Sequence, residues 1–510
     1  MKSNKDSTKI DVNSRKDEDS LSYEPRMKPS DPKSLNVRRT ITISFSFLTV
    51  LLAWSFFNFK VPLLIDAILG SNPSKDLIKG IIMAMDNLIA VVVQPFFGDL
   101  SDRTKSKFGR RMPFILIGTF LSAIFFIFIP WMKILAGLIL IIFLFDLAMS
   151  IYRSSSIAIL PDYTSDKVYS KASAIQQFVA NIGGLVGFII PIIIGFIPNL
   201  SVEWIDGLGF LIIALLMLAL LATQIIYIKE TPTGERWLGF VDKKLVVDPY
   251  TFKIRESDEN LTGKESQKKV FKSYRNSIKI VKSHKDFAYF LGTVVFMYLA
   301  FASVEAFFSS FAMDYLGLYA AAYLKVGNAA DAKKMAESQA STLFIAYSGP
   351  MIAVAYFVGL LGQSERIGKK NAVKIFLGWM IISTLVMATI IVPMVYHNHQ
   401  PLLIITMLML ISIPWMGFIV NSFSILWELA PEGKKGIYTG IYYTFNQAAY
   451  TIAPILFGGI LSTLISFGDY RYIVMFPFVL LCIIIGLLFF IKVKGGEAPK
   501  ETKINPPLVK

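Results

Sequence analysis

Twelve apolar stretches, each long enough to cross a lipid bilayer, constrain the fold of this chain more than any other feature. A hydrocarbon core requires about 20 apolar residues per helical crossing, and lipid offers the backbone no hydrogen-bond partners, so the crossings are expected to be helices. The predicted spans are residues 41–69, 76–97, 113–131, 134–157, 173–197, 207–229, 287–312, 340–361, 372–394, 402–428, 437–464 and 470–492. We therefore predict an all-α membrane protein with 12 transmembrane helices in two six-helix halves.

The composition supports this class and argues against a nucleic-acid partner. Of the 510 residues, 54% are hydrophobic and 17% are charged, whereas soluble proteins carry about 25% charged residues. The net charge of +15 is distributed as a positive-inside bias, with ten Lys or Arg in the first 39 residues and further basic residues in alternate loops. We expect a multi-pass protein of the cell (inner or plasma) membrane, with both termini in the cytoplasm and the lipid bilayer as a partner.

The chain divides at its longest polar interruption. The predicted units are a disordered cytoplasmic tail (1–39), an N-terminal six-helix half (40–229), a cytoplasmic linker (230–285), a C-terminal six-helix half (286–493) and a second tail (494–510). Within the linker, residues 268–282 place apolar side chains on one helical face and basic ones on the rest. This pattern predicts a helix lying on the inner leaflet, with a target for a regulatory protein as the alternative.

Internal similarity between the halves indicates secondary transport. "GDLSDRTKSKFGRR" after the second span is echoed by "GLLGQSERIGKK" after the eighth, and "SIAILPD" after the fourth is echoed by "SILWELAPE" after the tenth. Duplicated halves of this kind hold the substrate where they meet. The sequence contains no P-loop, and its single cysteine, Cys482, excludes an intrachain disulfide. We expect no enzymatic activity, no cofactor and no metal.

The segment "GDLSDRTKSKFGRRMPF" (98–114) concentrates seven charged residues between two spans. An orientation signal accounts for the basic residues but not for the acids. A cluster of acids and arginines at a helix end is also able to clamp neighbouring helices in one state and release them in another, because each ion pair is individually weak. The predicted conformational gate consists of Gly98, Asp102, Arg103, Gly109, Arg110, Arg111 and, after the eighth span, Arg366, with the glycines allowing close backbone approach.

These residues carry a family resemblance. Gly-x-x-x-Asp-Arg followed by Gly-Arg-Arg resembles the cytoplasmic motif of the major facilitator superfamily, and the longer form "VQPFFGDLSDRTKSKFGRRMPF" is similar to the sucrose/proton symporters of plants and their bacterial and animal relatives, a branch of glycoside–cation symporters. "FLFDLAMSIYRSSSIAILPD" (143–162) resembles the fourth helix of that branch. Where the plant proteins carry an Arg near the end of this helix, the chain has Ile157, and its own Arg lies one turn earlier, at Arg153. The resemblance implies the major facilitator fold.

Charged residues inside the spans are candidate cation sites, since a charge at mid-bilayer costs about 2.5–3.5 kcal/mol. Asp146 lies near the centre of the fourth span, with Arg153 seven residues later as its charge partner. The pair is either a structural ion pair or a proton site, and the resembled symporters use the helix-4 acid for protons. Asp86 is the second coupling candidate, binding a cation or a sugar hydroxyl. Related melibiose-type permeases use acids on helices 2 and 4 for sodium, to which Asn87 would add an oxygen ligand.

A sugar site requires hydrogen-bonding side chains and aromatic planes. Buried amides without partners are costly, so the polar side chains within the spans are expected to face protein or water. The candidate substrate-binding residues are Asn58, Asn87, Arg153, Gln177, Asn181, Glu305, Asn421, Asn446 and Gln447. Glu305 either accepts sugar hydroxyls or pairs with Arg153 to lock one state. Lys60, toward the end of the first span, either snorkels to the interface or takes part in function.

Together these features predict a proton-coupled importer of a glycoside, a disaccharide such as sucrose or maltose, that functions as a monomer. Sodium coupling is the alternative for the ion. A sensor that transports nothing and an efflux carrier are the alternatives on the same fold. Short tails argue against a sensor, and the amide-rich spans argue against a carrier of apolar drugs or lipids.

Overall fold

The fold was established from a computed structural model, which describes residues 35–104, 106, 108–162, 164, 169–228, 237–241, 244–247, 279–364, 366–396, 401–431 and 435–496. The predicted all-α architecture is confirmed, since long helices make up nearly all of the described chain. The long helices are α1 (Val37–Leu69), α2 (Lys75–Arg103), α3 (Met112–Phe128), α4 (Leu135–Asp162), α5 (Tyr169–Gly195), α6 (Val202–Tyr227), α7 (Lys285–Ser310), α8 (Ala329–Gln363), α9 (Gly368–Val386), α10 (Pro401–Leu429), α11 (Lys435–Thr463) and α12 (Met475–Ile491).

Each predicted span corresponds to one of these helices. Nine helices of the described chain are long and apolar enough to cross a membrane by length and composition, and the other three long helices are α2, α8 and α11. The count of twelve crossings therefore stays a prediction. Helices α1–α6 form what we call the N-half, and α7–α12 form the C-half.

Two predicted boundaries are wrong. Helix α1 begins at Val37, inside the predicted tail 1–39, because the side chain of Asn36 accepts a hydrogen bond from the backbone N–H of Arg39 and caps the helix. Helix α8 begins at Ala329 rather than at 340, preceded by a short helix, Leu318–Val326. Asn328 caps α8 by accepting a hydrogen bond from the N–H of Asp331 at 2.8 Å. The polar side chains of its first turns have partners elsewhere in the fold, so a prediction from hydropathy alone did not assign these turns to the helix.

The linker contains an antiparallel pair of strands that the sequence did not predict, β1 (Trp237–Val241) and β2 (Lys244–Val247). Most of the predicted interfacial helix at 268–282 lies outside the described residues, and residues 279–282 are helical. The tails 1–34 and 497–510 also lie outside them.

The helices alternate in direction, which gives the bundle two ends. The start of α7 packs on the end of α12, where Gly292 lies against Phe489. We call this the tail end, because the first and last described residues, 35 and 496, lie there together with the turn between α2 and α3. The opposite end, where α1 is followed by α2, is the far end. The position of each residue along its helix therefore gives its depth in the bundle.

Close contacts at glycines hold neighbouring helices together. A Cβ added to Gly187 of α5 would lie 2.9 Å from the Leu52 carbonyl oxygen of α1, within the N-half. A Cβ added to Gly80 of α2 would lie 2.1 Å from the Pro454 carbonyl oxygen of α11, so α2 and α11 touch backbone to backbone across the halves. The halves therefore meet along α2 and α11 on one side and along α5 and α8 on the other.

Candidate functional site

Polar side chains from four helices meet at mid-depth between the halves. Asn58, on α1, donates a hydrogen bond from Nδ2 to Oε1 of Glu305, on α7, at 2.7 Å. This bond joins the N-half to the C-half directly. The sequence predicted both residues as substrate ligands, and the structure brings them together.

The charged residues predicted on α2 and α4 belong to the same cluster. Asp86 accepts a hydrogen bond from the amide of Asn87 and interacts electrostatically with the charges of Asp146 and Arg153. Glu305 in turn interacts with Asp86 and Arg153. Two carboxyl groups, Asp86 and Glu305, thus interact with one guanidinium group, and Asp146 is linked to them through Asp86. We call Asp86, Asp146, Arg153 and Glu305 the central charge cluster.

Asp146 has an unusual environment within this cluster. Its side chain is 1% exposed, and neither carboxylate oxygen has a hydrogen-bond partner among the described residues. A buried ionised carboxylate without a partner costs several kcal/mol, so such a group favours binding a proton or a cation. Its nearest electrostatic neighbour is a second acid, Asp86.

The structural ion pair between Asp146 and Arg153, one of the two interpretations offered by the sequence, is not formed in this conformation. Arg153 is half-buried, and its Nε atom is buried with no hydrogen-bond partner in the described part of the chain. Its electrostatic interactions are with Asp86, Glu305 and the hydroxyl of Tyr450. The guanidinium group therefore faces the space between the halves, where it is available to a ligand.

Of the other predicted substrate ligands, Asn421 is engaged within the fold. Its Nδ2 donates to the carbonyl oxygens of Val358 at 3.1 Å and Gly417 at 2.8 Å, which ties α10 to α8. Asn446 is 7% exposed and interacts with the hydroxyl of Tyr298, also within the C-half. The amide donors of Asn421 are thus already used, so a structural role fits it better than ligand binding.

The side chains of Asn181, Gln177 and Gln447 make no hydrogen bond to another described residue. Asn181 and Gln447 are half-buried, whereas Gln177, nearer the tail end of α5, is exposed. Ligand binding by these three residues stays a prediction. The structure does not bring Gln177 into the central charge cluster.

An aromatic surface lies beside the cluster, on the C-half. The rings of Phe301 (α7), Tyr347 (α8) and Tyr450 (α11) are half-buried, and the Phe301 ring lies 6.3 Å from Tyr347 and 6.2 Å from Tyr450 between centroids. The Tyr347 and Tyr450 hydroxyls both interact with the charge of Glu305. None of the three is among the substrate ligands predicted from the sequence. Phe301 and Tyr450 were missed altogether. Their spacing was a usable signal, because Phe301 lies one turn before Glu305 and Tyr450 one turn after Asn446.

The predicted gate segment at the tail end is organised by Arg111. Its guanidinium group donates to the hydroxyl of Ser101 and, at 3.5 Å, to the carbonyl oxygen of Gly98. Arg110 is also buried, whereas Arg366 is exposed at the turn between α8 and α9. The side chains of Asp102 and Arg103 lie outside the described residues.

The two glycines of the predicted gate differ in backbone conformation and in surroundings. Gly109 has φ of +95°, a conformation that favours glycine. A Cβ added to Gly98 would meet nothing within 4 Å in the described part of the chain, so the expected close backbone approach is wrong at this position.

Charged residues that the sequence did not assign hold the far end closed. Lys60, only 1% exposed, pairs with Asp206 of α6 at 2.8 Å and with Glu337 of α8. Asp206 also pairs with Lys333 of α8 at 2.7 Å. Lys60 is therefore a buried link between the halves and does not snorkel to an interface.

A second group of far-end ion pairs surrounds Lys79 of α2. This fully buried ammonium lies 2.6 Å from Asp66 and 3.3 Å from Asp76, and donates to the hydroxyl of Ser310 at the end of α7. Asp76 also accepts from Nε of Arg471, just before α12, at 2.8 Å. These contacts join α1 and α2 to the C-half.

An aromatic contact closes the space between these ion pairs and the central charge cluster. The ring of Phe344 (α8) lies 5.6 Å from Phe59 (α1) and 4.9 Å from Phe188 (α5). Phe344 is 8% exposed and Phe59 is fully buried. The rings therefore separate the central site from the far end.

Two side-chain contacts between described residues of the tail end lie within one half. Lys369 pairs with Glu428, and His284 contacts the hydroxyl of Tyr438 at 3.0 Å, both within the C-half. The buried ion pairs described above, which join the halves, lie at the far end.

Comparison with known proteins is consistent with this arrangement. The family model described as Major Facilitator Superfamily matches residues 43–454 and, in a second match, residues 306–509. The sucrose transport protein SUC3 of Arabidopsis thaliana is 31% identical over 123 residues, and the match covers 20% of this chain and 21% of that protein. The chain thus spans about a fifth of this curated relative.

Solved structures share the fold at low sequence identity. A bacterial homologue of the human lysosomal transporter Spinster matches with a TM-score of 0.61 and 12% identity, covering 91% of this chain and 97% of that one. The nucleoside transporter NupG matches with a TM-score of 0.60 and 12% identity, covering 90% and 100%. A D-xylose–proton symporter matches with a TM-score of 0.59 and 12% identity, covering 89% and 97%.

Proposed function

Because the chain belongs to the major facilitator superfamily and is a multi-pass membrane transporter rather than an enzyme, we propose that it imports a neutral glycoside together with a cation. The glycoside is a disaccharide such as sucrose or maltose, and the cation is a proton. The resemblance of residues 93–114 and 143–162 to the sucrose/proton symporters supports the substrate class. The partial match to a sucrose transport protein supports it further.

The observation that carries the proposal is the unpartnered carboxyl group of Asp146, buried at mid-depth. Protonation removes a charge that would otherwise hold the site open to water. Sugar binding then favours the closed form, provided that the sugar binds that form more tightly. Asp146 is thus the coupling residue, Asp86 modulates it, and Arg153 and Glu305 hydrogen-bond to the sugar.

The orientation in the membrane is inferred from the charge bias of the loops, and import is inferred from the resemblance alone. In this proposal the tail end, with the basic residues of the first tail and of segment 98–114, faces the cytoplasm. The closed far end is then the outer one, the conformation corresponds to an inward-facing carrier, and the carrier functions as a monomer in the cell membrane.

Uptake of labelled disaccharide into proteoliposomes tests the proposal. A proton gradient, acidic outside, should drive uphill accumulation, and sugar addition should make the outer medium more alkaline. Asp146→Asn should abolish accumulation, a loss of about a hundredfold or more, and retain sugar exchange down its gradient. Glu203→Gln, which neutralises an exposed carboxylate in the first turn of α6, is the matched control and should accumulate sugar normally.

Each alternative function gives a different result. Full accumulation by Asp146→Asn would reject Asp146 as the coupling residue. Accumulation driven by a sodium gradient alone would assign sodium, with Asn87 adding an oxygen ligand beside Asp86. Sugar binding without uptake would indicate a sensor, and sugar leaving loaded vesicles against its gradient would indicate efflux.

A further inference from the structure

The central site has two chemically different sides. The N-half contributes Asn58, Asp86, Asp146 and Arg153, which are polar or charged, whereas the facing part of the C-half contributes the rings of Phe301, Tyr347 and Tyr450, which we call the aromatic wall. Glu305 is the acidic group beside this wall, and Asn58 bonds to it from the N-half. A ligand between the halves therefore meets hydrogen-bonding groups on one side and ring faces on the other.

The aromatic wall faces the site and not the lipid. Tyr450, on α11, interacts electrostatically with Arg153, on α4 of the opposite half, and with Glu305. Tyr347 also interacts with Glu305. Phe301 and Glu305 are one helical turn apart on α7, so their side chains share a face of that helix.

Other rings of the C-half pack against the aromatic wall and hold it in place. Phe301 stacks on Trp415 of α10 with centroids 4.8 Å apart and an interplanar angle of 4°, and Trp415 is only 2% exposed. Tyr450 contacts Tyr298, whose ring in turn lies edge-on to Trp415. Rings held in this way lose little freedom when a ligand binds, as is typical of a preformed ligand site.

The tyrosine hydroxyls of the wall have no protein partner in the described part of the chain. Neither Tyr347 nor Tyr450 makes a hydrogen bond to a described residue, although both rings are half-buried. Both hydroxyls are therefore free to hydrogen-bond to water or to a ligand. Two such groups beside the central charge cluster, together with the unpartnered Nε of Arg153, indicate a polar ligand.

We propose that Phe301, Tyr347 and Tyr450 bind the apolar face of a pyranose ring and thereby restrict the carrier to neutral pyranosides. A pyranose ring has an apolar C–H face and an edge of hydroxyl groups, which match the aromatic wall and the polar N-half. An open-chain polyol with as many hydroxyls has no such face. The excess of acids in the central charge cluster, with Asp86 and Glu305 interacting with Arg153 and Asp146 beside Asp86, disfavours a sugar acid. The inference rests on the proposed function and adds the residues that select the substrate.

Removing the ring of one wall residue tests this inference. Phe301→Ala and Tyr450→Ala should each raise the KM for a neutral disaccharide about tenfold, with proton-driven accumulation retained at saturating sugar. Tyr450→Phe, which keeps the ring, should change KM by less than threefold. The control Phe120→Ala removes an exposed ring from α3 and should leave KM unchanged.

Ligand selectivity provides a second readout that does not depend on transport. In the purified wild-type protein, thermal stabilisation by a neutral disaccharide should exceed that by sorbitol or by a glucuronide, and Phe301→Ala should remove the preference over sorbitol. If the wild type transports disaccharide but both ring deletions leave KM and this preference unchanged, the aromatic wall does not bind sugar. If the wild type neither binds nor transports any disaccharide, the proposed function itself fails.

Discussion

The far end and the tail end of this transporter are held by different interactions. At the far end, Lys60 and Lys79 are fully or almost fully buried and pair with carboxylates. Lys60 links the halves through Glu337, and Lys79 links them through its hydrogen bond to Ser310. At the tail end, Lys369 and Glu428 pair within the C-half and are 29% and 23% exposed. The far-end charges have therefore left water, whereas this tail-end pair has kept part of its contact with water.

This difference indicates which interactions set the equilibrium between the far-end-closed and far-end-open states. A buried ion pair gains little net stability over separated, hydrated ions, but removing one partner costs about 3–5 kcal/mol because the other charge stays buried. The far end can therefore open at moderate cost if the ions separate and are hydrated together. It cannot stay closed if one partner is lost. A partly exposed pair within one half has little influence on this equilibrium.

The largest expected effect is that of Lys79→Met. The substitution removes the hydrogen bond from Lys79 to Ser310 of the C-half and leaves Asp66 without its buried ammonium partner. It should shift the equilibrium toward the far-end-open state by about a hundredfold or more. A thiol at Ala340→Cys, a fully buried position on α8, in a Cys482→Ser background, should then react with a membrane-impermeant reagent. An unchanged labelling rate would mean that the Lys79 pairs do not hold the far end closed.

A smaller effect is expected from removing the closest contact between the halves. Gly80→Ala places a Cβ against the Pro454 carbonyl oxygen, a backbone atom that cannot rotate away, and overpacking of this kind costs about 1–3 kcal/mol. It should raise the labelling rate at the far end about tenfold. Gly440→Ala on α11 near the tail end, where an added Cβ meets nothing within 4 Å in the described part of the chain, is the matched control. Equal effects of the two substitutions would remove the distinction between the ends.

The smallest effect should come from Lys369→Met. The pair with Glu428 is partly exposed and stays within one half, so its loss should change stability by about 1 kcal/mol or less and leave the far-end labelling rate unchanged. Thermal unfolding checks the change in stability. The far-end labelling rate, measured side by side with that of Lys79→Met, checks the conformational equilibrium. A shift in labelling as large as that caused by Lys79→Met would show that the tail-end pair also sets the equilibrium.

The central charge cluster was predictable because intramembrane charge is rare and costly. Asp86, Asp146, Arg153 and Glu305 stood out as charges within apolar stretches, and the structure places all four at mid-depth. The sequence did not show their pairing. The spacing of Asp146 and Arg153 is compatible with an ion pair, whereas the tertiary structure turns Arg153 toward the other acids.

The far-end ion pairs could not have been predicted in the same way. Lys79, Asp76 and Arg471 lie at or near helix ends, where charges usually face water, so nothing in a single sequence distinguishes them from solvated residues. The same holds for Phe301 and Tyr450, since an aromatic residue in an apolar span has the same pattern whether it faces lipid, core or ligand. Each acquires its role from a partner far away in the chain.

The sequence alone determined that this chain folds into long apolar helices and buries a few charged groups within them, because the cost of placing polar atoms in lipid acts on every segment separately. The tertiary structure alone decided which charges neutralise one another, which rings face the site and which end is closed. These outcomes depend on contacts between helices, such as the bond from Asn58 to Glu305 at 2.7 Å, that no local pattern records.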